Sequence, residues 1–260
     1  MPRTSRTLSS IGIYHIILRS VNQHIIFEED ADYQKFLFVL SDCKANHDIE
    51  LYAYCLMDNH IHLLLYAANE NLATFFQSLG TRFVRWYNGK YFRSGHLFQD
   101  RYFSKPIETN SAFLAVLMYI HNNPVKANIC RYPSEYRWSS YNAFYGQNDR
   151  LVDPTYAYHI AGSKEALLHL FSVYDSSADD KNPLFADDHR TINHHRTDEQ
   201  ALSIFRELTG LTNTSEVIAL PKAKRNSYIR ILKEKNLTNK QIARLMDISV
   251  TTVKRLCQSC

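Results

Sequence analysis

Glycine is scarce here, seven residues in a chain of 260, and no two of them stand close enough to wrap a phosphate. A glycine-rich nucleotide loop is therefore excluded. No apolar run approaches the roughly 18 residues of a membrane span, so no membrane partner is expected. The five cysteines, Cys43, Cys55, Cys130, Cys257 and Cys260, are too few and odd in number for a disulfide framework. With no leader-like segment at the start, they read as free thiols in a reducing compartment, a bacterial cytoplasm or nucleoid. Cys257 and Cys260 form a lone C-x-x-C without a second ligand pair, and no H-E-x-x-H occurs. Neither a zinc finger nor a zinc hydrolase with a water nucleophile gains support.

What is present is apolar bulk and unevenly placed charge. Hydrophobic residues make up 45%, with 17 Tyr and 14 Phe, enough for a well-packed core. The net charge is +4, but residues 221–260 hold ten Lys/Arg against Glu234 and Asp247, while residues 175–199 hold seven acids against three bases. A basic terminal module behind an acidic spacer suits nucleic acid; charge alone fits a solvated helix pair equally well.

Hydrophobic periodicity predicts a strand over 13–21, an amphipathic helix over 32–47, and strands over 49–57 and 60–66 joined by a turn at Asp58-Asn59. A helix follows over 72–88, ended by Asn88-Gly89, then a short strand over 96–103 and a helix over 108–121 stopped by Pro124. This β-α-β-β-α-β-α order predicts an α+β (α/β sandwich) fold with a ferredoxin-like antiparallel sheet and helices on one face. Helical stretches are expected near 139–145 and 164–174. The expected organisation is a loose segment 1–10, a main domain 11–174, an acidic linker 175–197 and an all-α C-terminal module 198–260.

Two motifs carry chemistry. His60 and His62 are two apart on a strand, so both imidazoles leave the same face and can take adjacent positions on a divalent cation. An incidental buried pair, in a chain with twelve histidines, is the alternative. Tyr119 and Asn123 are i and i+4 at a helix end, on one face; an amide oxygen suits a hard cation. Tyrosine, with an unperturbed pKa of about 10, attacks a phosphodiester only with charge relief on the phosphoryl oxygens. One packing tyrosine among seventeen is the alternative here. Between the motifs, Arg82, Arg85, Lys90, Arg93, Arg101 and Lys105 interleave with Trp86, Tyr87, Tyr91, Phe92 and Tyr102, a composition suited to single-stranded DNA or to an ordinary core with a basic surface.

Together, His60-Ile61-His62 after Met57-x-Asn59, and Tyr119-Ile-x-x-Asn123-Pro-Val-Lys126-Ala127, resemble the HUH single-tyrosine transposases of insertion sequences, with REP-associated tyrosine transposases as the nearest subgroup. Tyr14-His15-Ile16, the stretch 95–103 and Trp138-Ser-Ser-Tyr141 add to the likeness, which runs over about 11–145. The resemblance implies that His60, His62 and Asn123 hold Mg²⁺ or Mn²⁺. It also implies that Tyr119 attacks single-stranded DNA beside a hairpin, forming a 5′-phosphotyrosine that a 3′-OH later reverses, with Lys126 among the DNA-binding residues. Insertion-sequence members often carry Gln where Asn123 stands; Asn is similar to the REP-associated group and reaches one methylene less far. A DNA-binding regulator on the same scaffold, without turnover, is the competing reading. Either works as a monomer or a homodimer.

Residues 237–257 resemble a helix-turn-helix. Ile242, Ala243 and Leu245 would pack its first helix, Asp247 would sit at the left-handed turn and Ser249 would cap the second helix. Arg244, Thr251, Thr252 and Lys254 would then reach duplex DNA; a helical hairpin that only packs is the alternative.

Overall fold

Alternation along four strands decides which side chains share a face. The computed structural model describes residues 7–21, 24–99, 101–174, 198–211, 215–218, 220–235 and 237–257. Strands β1 (Ile13–Arg19), β2 (Ile49–Leu56), β3 (His60–Ala67) and β4 (Phe103–Pro106) form one antiparallel sheet in the order β2-β3-β1-β4. That is the split β-α-β order expected for a ferredoxin-like sheet. Helices α1 (Asp30–Asn46) and α2 (Asn69–Tyr91) pack on each other and against β2 and β3; α3 (Asn110–Lys126) lies against the same two strands.

In β1 and β3 both alternating sets of residues are buried, so both faces are covered. One side of the core is aromatic: the Phe36 and Phe83 rings meet edge to face at 5.1 Å, and Phe27 meets Phe36 at 5.8 Å. Each fully buried Phe contributes on the order of 2 kcal/mol. Gly12 enters β1 at φ +75°, where a Cβ would stand 2.6 Å from the Tyr66 ring; only glycine fits that turn without strain.

Three boundaries differ from those read in the sequence. The last strand is 103–106, not 96–103. Leu97 is buried and Phe98 makes a single bridge to Ser20, but 96–99 and 101–102 are otherwise loop. Helix α2 runs past Asn88-Gly89 to Tyr91 and ends at Phe92, which takes the left-handed conformation usual for a capping Gly or Asn. Helix α3 is not stopped by Pro124 but continues to Lys126. The Asn122 and Asn123 amides turn back onto the helix and donate to the carbonyls of Met118 (3.2 Å) and Tyr119 (2.9 Å), while the carbonyl that Pro124 leaves without its helical donor is that of Ile120. Asn123 therefore stays on the same helical face as Tyr119.

A buried carboxylate fixes the segment before α1. Asp32, fully buried, pairs with Lys90, accepts from the Tyr91 hydroxyl at 2.7 Å, and accepts from the backbone N–H groups of Glu28 (2.8 Å) and Glu29 (2.9 Å).

Beyond α3, Tyr141–Tyr145 forms a short 3-10 helix, followed by α4 (Thr155–Ala161) and α5 (Lys164–Tyr174), whose Leu167 and Phe171 join the main core. The segment read as an acidic linker, 175–197, lies outside the described residues, as does Cys260. Helices α6 (Asp198–Thr209), α7 (Ser215–Ile218), α8 (Lys222–Glu234), α9 (Asn239–Met246) and α10 (Val250–Cys257) build a second, separate core around Phe205, Ile229, Leu232, Ile242 and Val253. Thr238 caps α9 by accepting from Gln241 N, and the Gln241 side chain returns the bond to Thr238 N. The turn into α10 passes through Asp247 at φ 50°, and Ser249 Oγ accepts from Thr252 N at 3.1 Å. No helix among the described residues is long and apolar enough to cross a membrane.

Candidate active site

Strand register brings His15 and His62 to one face, because β1 and β3 pair antiparallel with Ile17 opposite His62 and His15 opposite Leu64. His15 Nε2 and His62 Nδ1 lie 3.1 Å apart, and the two rings stack at 5.3 Å. His60 projects to the same face, its ring 4.8 Å from that of His62 and perpendicular to it. All three histidines are buried.

The hydrogen bonds choose the tautomers. Asn59 Oδ1 accepts from His60 Nδ1 at 2.7 Å, which puts the lone pair of the neutral ring on Nε2. When His62 donates through Nδ1 to His15, its Nε2 likewise carries the lone pair. This second-layer support orients metal-binding imidazoles. Burial, aided by the nearby Arg19 guanidinium, pushes the His62 imidazole down to about 3, so it is neutral at pH 7, the form that binds a cation. Asn59 itself is held by the hairpin. Its carbonyl accepts from Ser20 N at 3.0 Å, and the preceding Asp58 carbonyl accepts from Ile26 N at 2.6 Å.

Tyr119 comes to this face from α3. Its ring stands edge-on to His62 at 5.7 Å and to His15 at 5.9 Å, and Lys126 Nζ lies 5.1 Å over it. Asn123, one turn further and buried, spends its amide nitrogen on the Tyr119 carbonyl; the oxygen is the atom suited to a hard cation. Among the described residues no three His, Cys, Asp or Glu side chains form a complete metal-binding group by themselves. The donors at hand would be two imidazoles and an amide oxygen, so a cation's shell would need water or substrate oxygen to be filled. That is the open sphere a catalytic cation requires and a structural one avoids. Lys105 stands opposite His15 and Arg19 opposite His60 in the strand pairing, which adds positive charge to this face.

Sequence reasoning gave no role to His15, Arg19 or Asn59. Only pairing between distant strands shows that His15 and Arg19 adjoin His60 and His62, whereas Asn59 adjoins His60 in the chain itself.

The remaining residues singled out from the sequence are dispersed. Arg82 pairs with Asp42 on the outer side of α1 and α2, and Arg85 is exposed nearby. Lys90 is held by Asp32 and, at 2.6 Å, by Glu29. Arg101 is exposed. Arg93 lies toward the C-terminal module, and Lys254 Nζ sits 4.6 Å over the Tyr91 ring. Arg244 borders a hollow beside Glu29, Asp30 and Asp58; Thr251 is exposed and Thr252 half-buried. Tyr87, Tyr91 and Tyr102 are core residues with buried rings; Trp86 is half-buried and Phe92 is the exposed ring of the group.

Comparisons agree with this architecture. Residues 9–123 match the family model for IS200-like transposases. Among solved structures, a REP-associated tyrosine transposase bound to a REP hairpin shares 15% identity over 59% of this chain and 94% of its own, with a TM-score of 0.50. A second structure, from Deinococcus radiodurans, shares 20% identity over 46% of this chain and 97% of its own, with a TM-score of 0.33. No curated protein matches. The likeness to IS200-like transposases is thus confined to residues 9–123, and the four-stranded sheet with its helices resembles the fold of the REP-associated enzyme.

Proposed function

We propose that this protein cuts and rejoins single-stranded DNA through a covalent bond to Tyr119, as the transposase of a mobile element or as a processor of hairpin-forming repeats. The observation that carries the reading is the convergence of Tyr119, His60 and His62 on one sheet face, with the His62 and Tyr119 rings 5.7 Å apart. A divalent cation, Mg²⁺ or Mn²⁺, held by His60, His62 and Asn123, would supply charge relief on the non-bridging oxygens of the scissile phosphate.

The chain's own residues do the rest. Lys126 over the Tyr119 ring favours negative charge developing on the phenolic oxygen. That oxygen attacks phosphorus in line; the new P–O bond to Tyr119 forms as the P–O3′ bond breaks. The phenolic proton is lost and the departing 3′ oxygen gains one, so the products are a 5′-phosphotyrosine and a free 3′-OH. A second 3′-OH attacking the same phosphorus reverses the link without ATP. His15 keeps His62 in register, and Arg19 and Lys105 draw the DNA backbone across the sheet. The solved relative in complex with a REP hairpin supports hairpin DNA as the partner. The C-terminal module would tether duplex DNA through Arg244, Thr251 and Thr252, the last two on the α10 face and its flank.

The test is a denaturing gel. Protein is mixed with Mg²⁺ or Mn²⁺ and end-labelled single-stranded DNA from the flanks of its own gene. Label should migrate with the wild type and with neither Tyr119→Phe nor the His60→Ala/His62→Ala pair. Cleavage that survives Tyr119→Phe would mean a water nucleophile, and retarded DNA without cleavage would mean a binding protein.

A further inference from the structure

Between the main unit and the C-terminal module lies a cleft of about 620 Å³, lined by His24, Tyr91, Phe92 and Arg93 on one side and by Arg230, Lys233, Glu234 and Lys254 on the other. Four cations face one another across it. Of its two carboxylates, Glu28 is committed to the module, accepting from Lys233 Nζ at 2.6 Å and from Asn239 N at 3.3 Å. Burial first, and then the Arg93 and Lys233 charges, hold the His24 imidazole below its usual range, against the opposing charge of Glu28. Arg93 and Arg230 are exposed at its walls. Cations lining one cleft repel one another, and a polyanion lying along it would relieve that repulsion.

A second observation points to the same ligand. Phe92 ends α2 at φ 50°, a left-handed conformation that is strained for a bulky residue. The residue is 79% exposed, so burial does not offset the strain. A strained, exposed aromatic at the mouth of a basic cleft matches the elements that hold single-stranded nucleic acid, where cations follow phosphates and rings stack on bases.

We propose that this cleft binds a DNA strand, with Arg93 and Arg230 on its phosphates and the Phe92 ring stacked on a base, so that the helical module and the sheet grip one continuous molecule. The inference rests on the transposase reading for the identity of the polyanion.

The test is fluorescence anisotropy on the full chain with EDTA present, so that no cleavage step enters. The probe is a labelled DNA hairpin with a single-stranded flank, titrated over a range of salt. Arg93→Glu/Arg230→Glu should weaken binding at least about tenfold and flatten the plot of log affinity against log salt, since each lost phosphate contact removes roughly 0.7–0.9 of slope. Phe92→Gly removes the ring and suits the left-handed cap, so it should weaken binding about tenfold while the Tm holds or rises. Binding and salt slope unchanged in both variants, at wild-type Tm, would overturn the cleft and leave the nuclease reading standing. Weakened binding in a protein whose wild type forms no Tyr119 adduct would uphold the cleft while that reading falls. A wild type that binds no DNA would overturn both.

Discussion

The sheet face and the module junction are built by opposite means. His15, His60, His62 and Tyr119 are buried and fixed by strand register and ring contacts. At the junction, Lys233 meets Glu28, Lys254 meets the Tyr91 ring, and Arg93 and Arg230 face solvent. Packing holds the first to a single geometry at any ionic strength. Charge holds the second, so salt and DNA can compete for it. Chemistry that needs a nucleophile beside a cation belongs in the first kind of site, and a grip that must load and release DNA belongs in the second.

Acid should separate the two most strongly. Burial pushes the His62 and His121 imidazoles down to about 3, whereas no histidine occurs from Asp198 onward. With folded pKa values below an unfolded value of about 6.5, the stability of the neutral rings is fully present above pH 6.5. It is lost as pH falls from there towards 3. In EDTA, the unfolding free energy of the main unit, read from urea denaturation, should fall by about 2 kcal/mol over the first pH unit below about 6.5, near 1 for each ring, and by nearly 3 for each unit after that; the melting of α6–α10 should stay level. An acid-insensitive main unit would mean that these histidines are not buried as described.

Next in size is Asp32→Asn. It strips the buried partner of Lys90 and the anchor of the 28–29 backbone, and should cost about 3 kcal/mol by chemical denaturation. Because Glu28 hangs from that anchor, the junction should loosen as well, read as faster proteolysis between the units. Gly12→Ala forces a Cβ onto Tyr66 at a left-handed φ and should lower stability by roughly 2 kcal/mol while leaving the junction intact. Glu28→Gln should cost about 1 kcal/mol, and less in high salt, because Lys233 is partly exposed although the carboxylate is mostly buried. A large, salt-independent loss there would break the comparison, since the junction would then be held by packing.

Much of the site was legible because strand alternation is a local rule: it predicts from spacing alone that His60 and His62 share a face, and they do. The sheet order followed from element order. Non-local facts were not legible. His15 and Arg19 join the site only through the β1–β3 register. The edge strand Phe103–Pro106 is short and polar, and the more apolar 96–98 drew the expected strand away from it. Proline usually ends a helix, yet α3 continues through Pro124 to Lys126, with Asn122 and Asn123 buried and their amides turned back onto it, a setting that spacing does not reveal. Arg82 and Lys90 read as DNA contacts in sequence, whereas in the fold each is opposed by a carboxylate on or beside α1.

The most direct test of the central claim is mass spectrometry of the trapped covalent complex. Protein and single-stranded DNA are digested with protease and nuclease, and the peptide spanning Tyr119 is fragmented. The account predicts a nucleotide joined through its 5′ phosphate to the Tyr119 oxygen. A nucleotide on any other residue, or DNA cut to a free 5′ phosphate with Tyr119 unmodified, would contradict it.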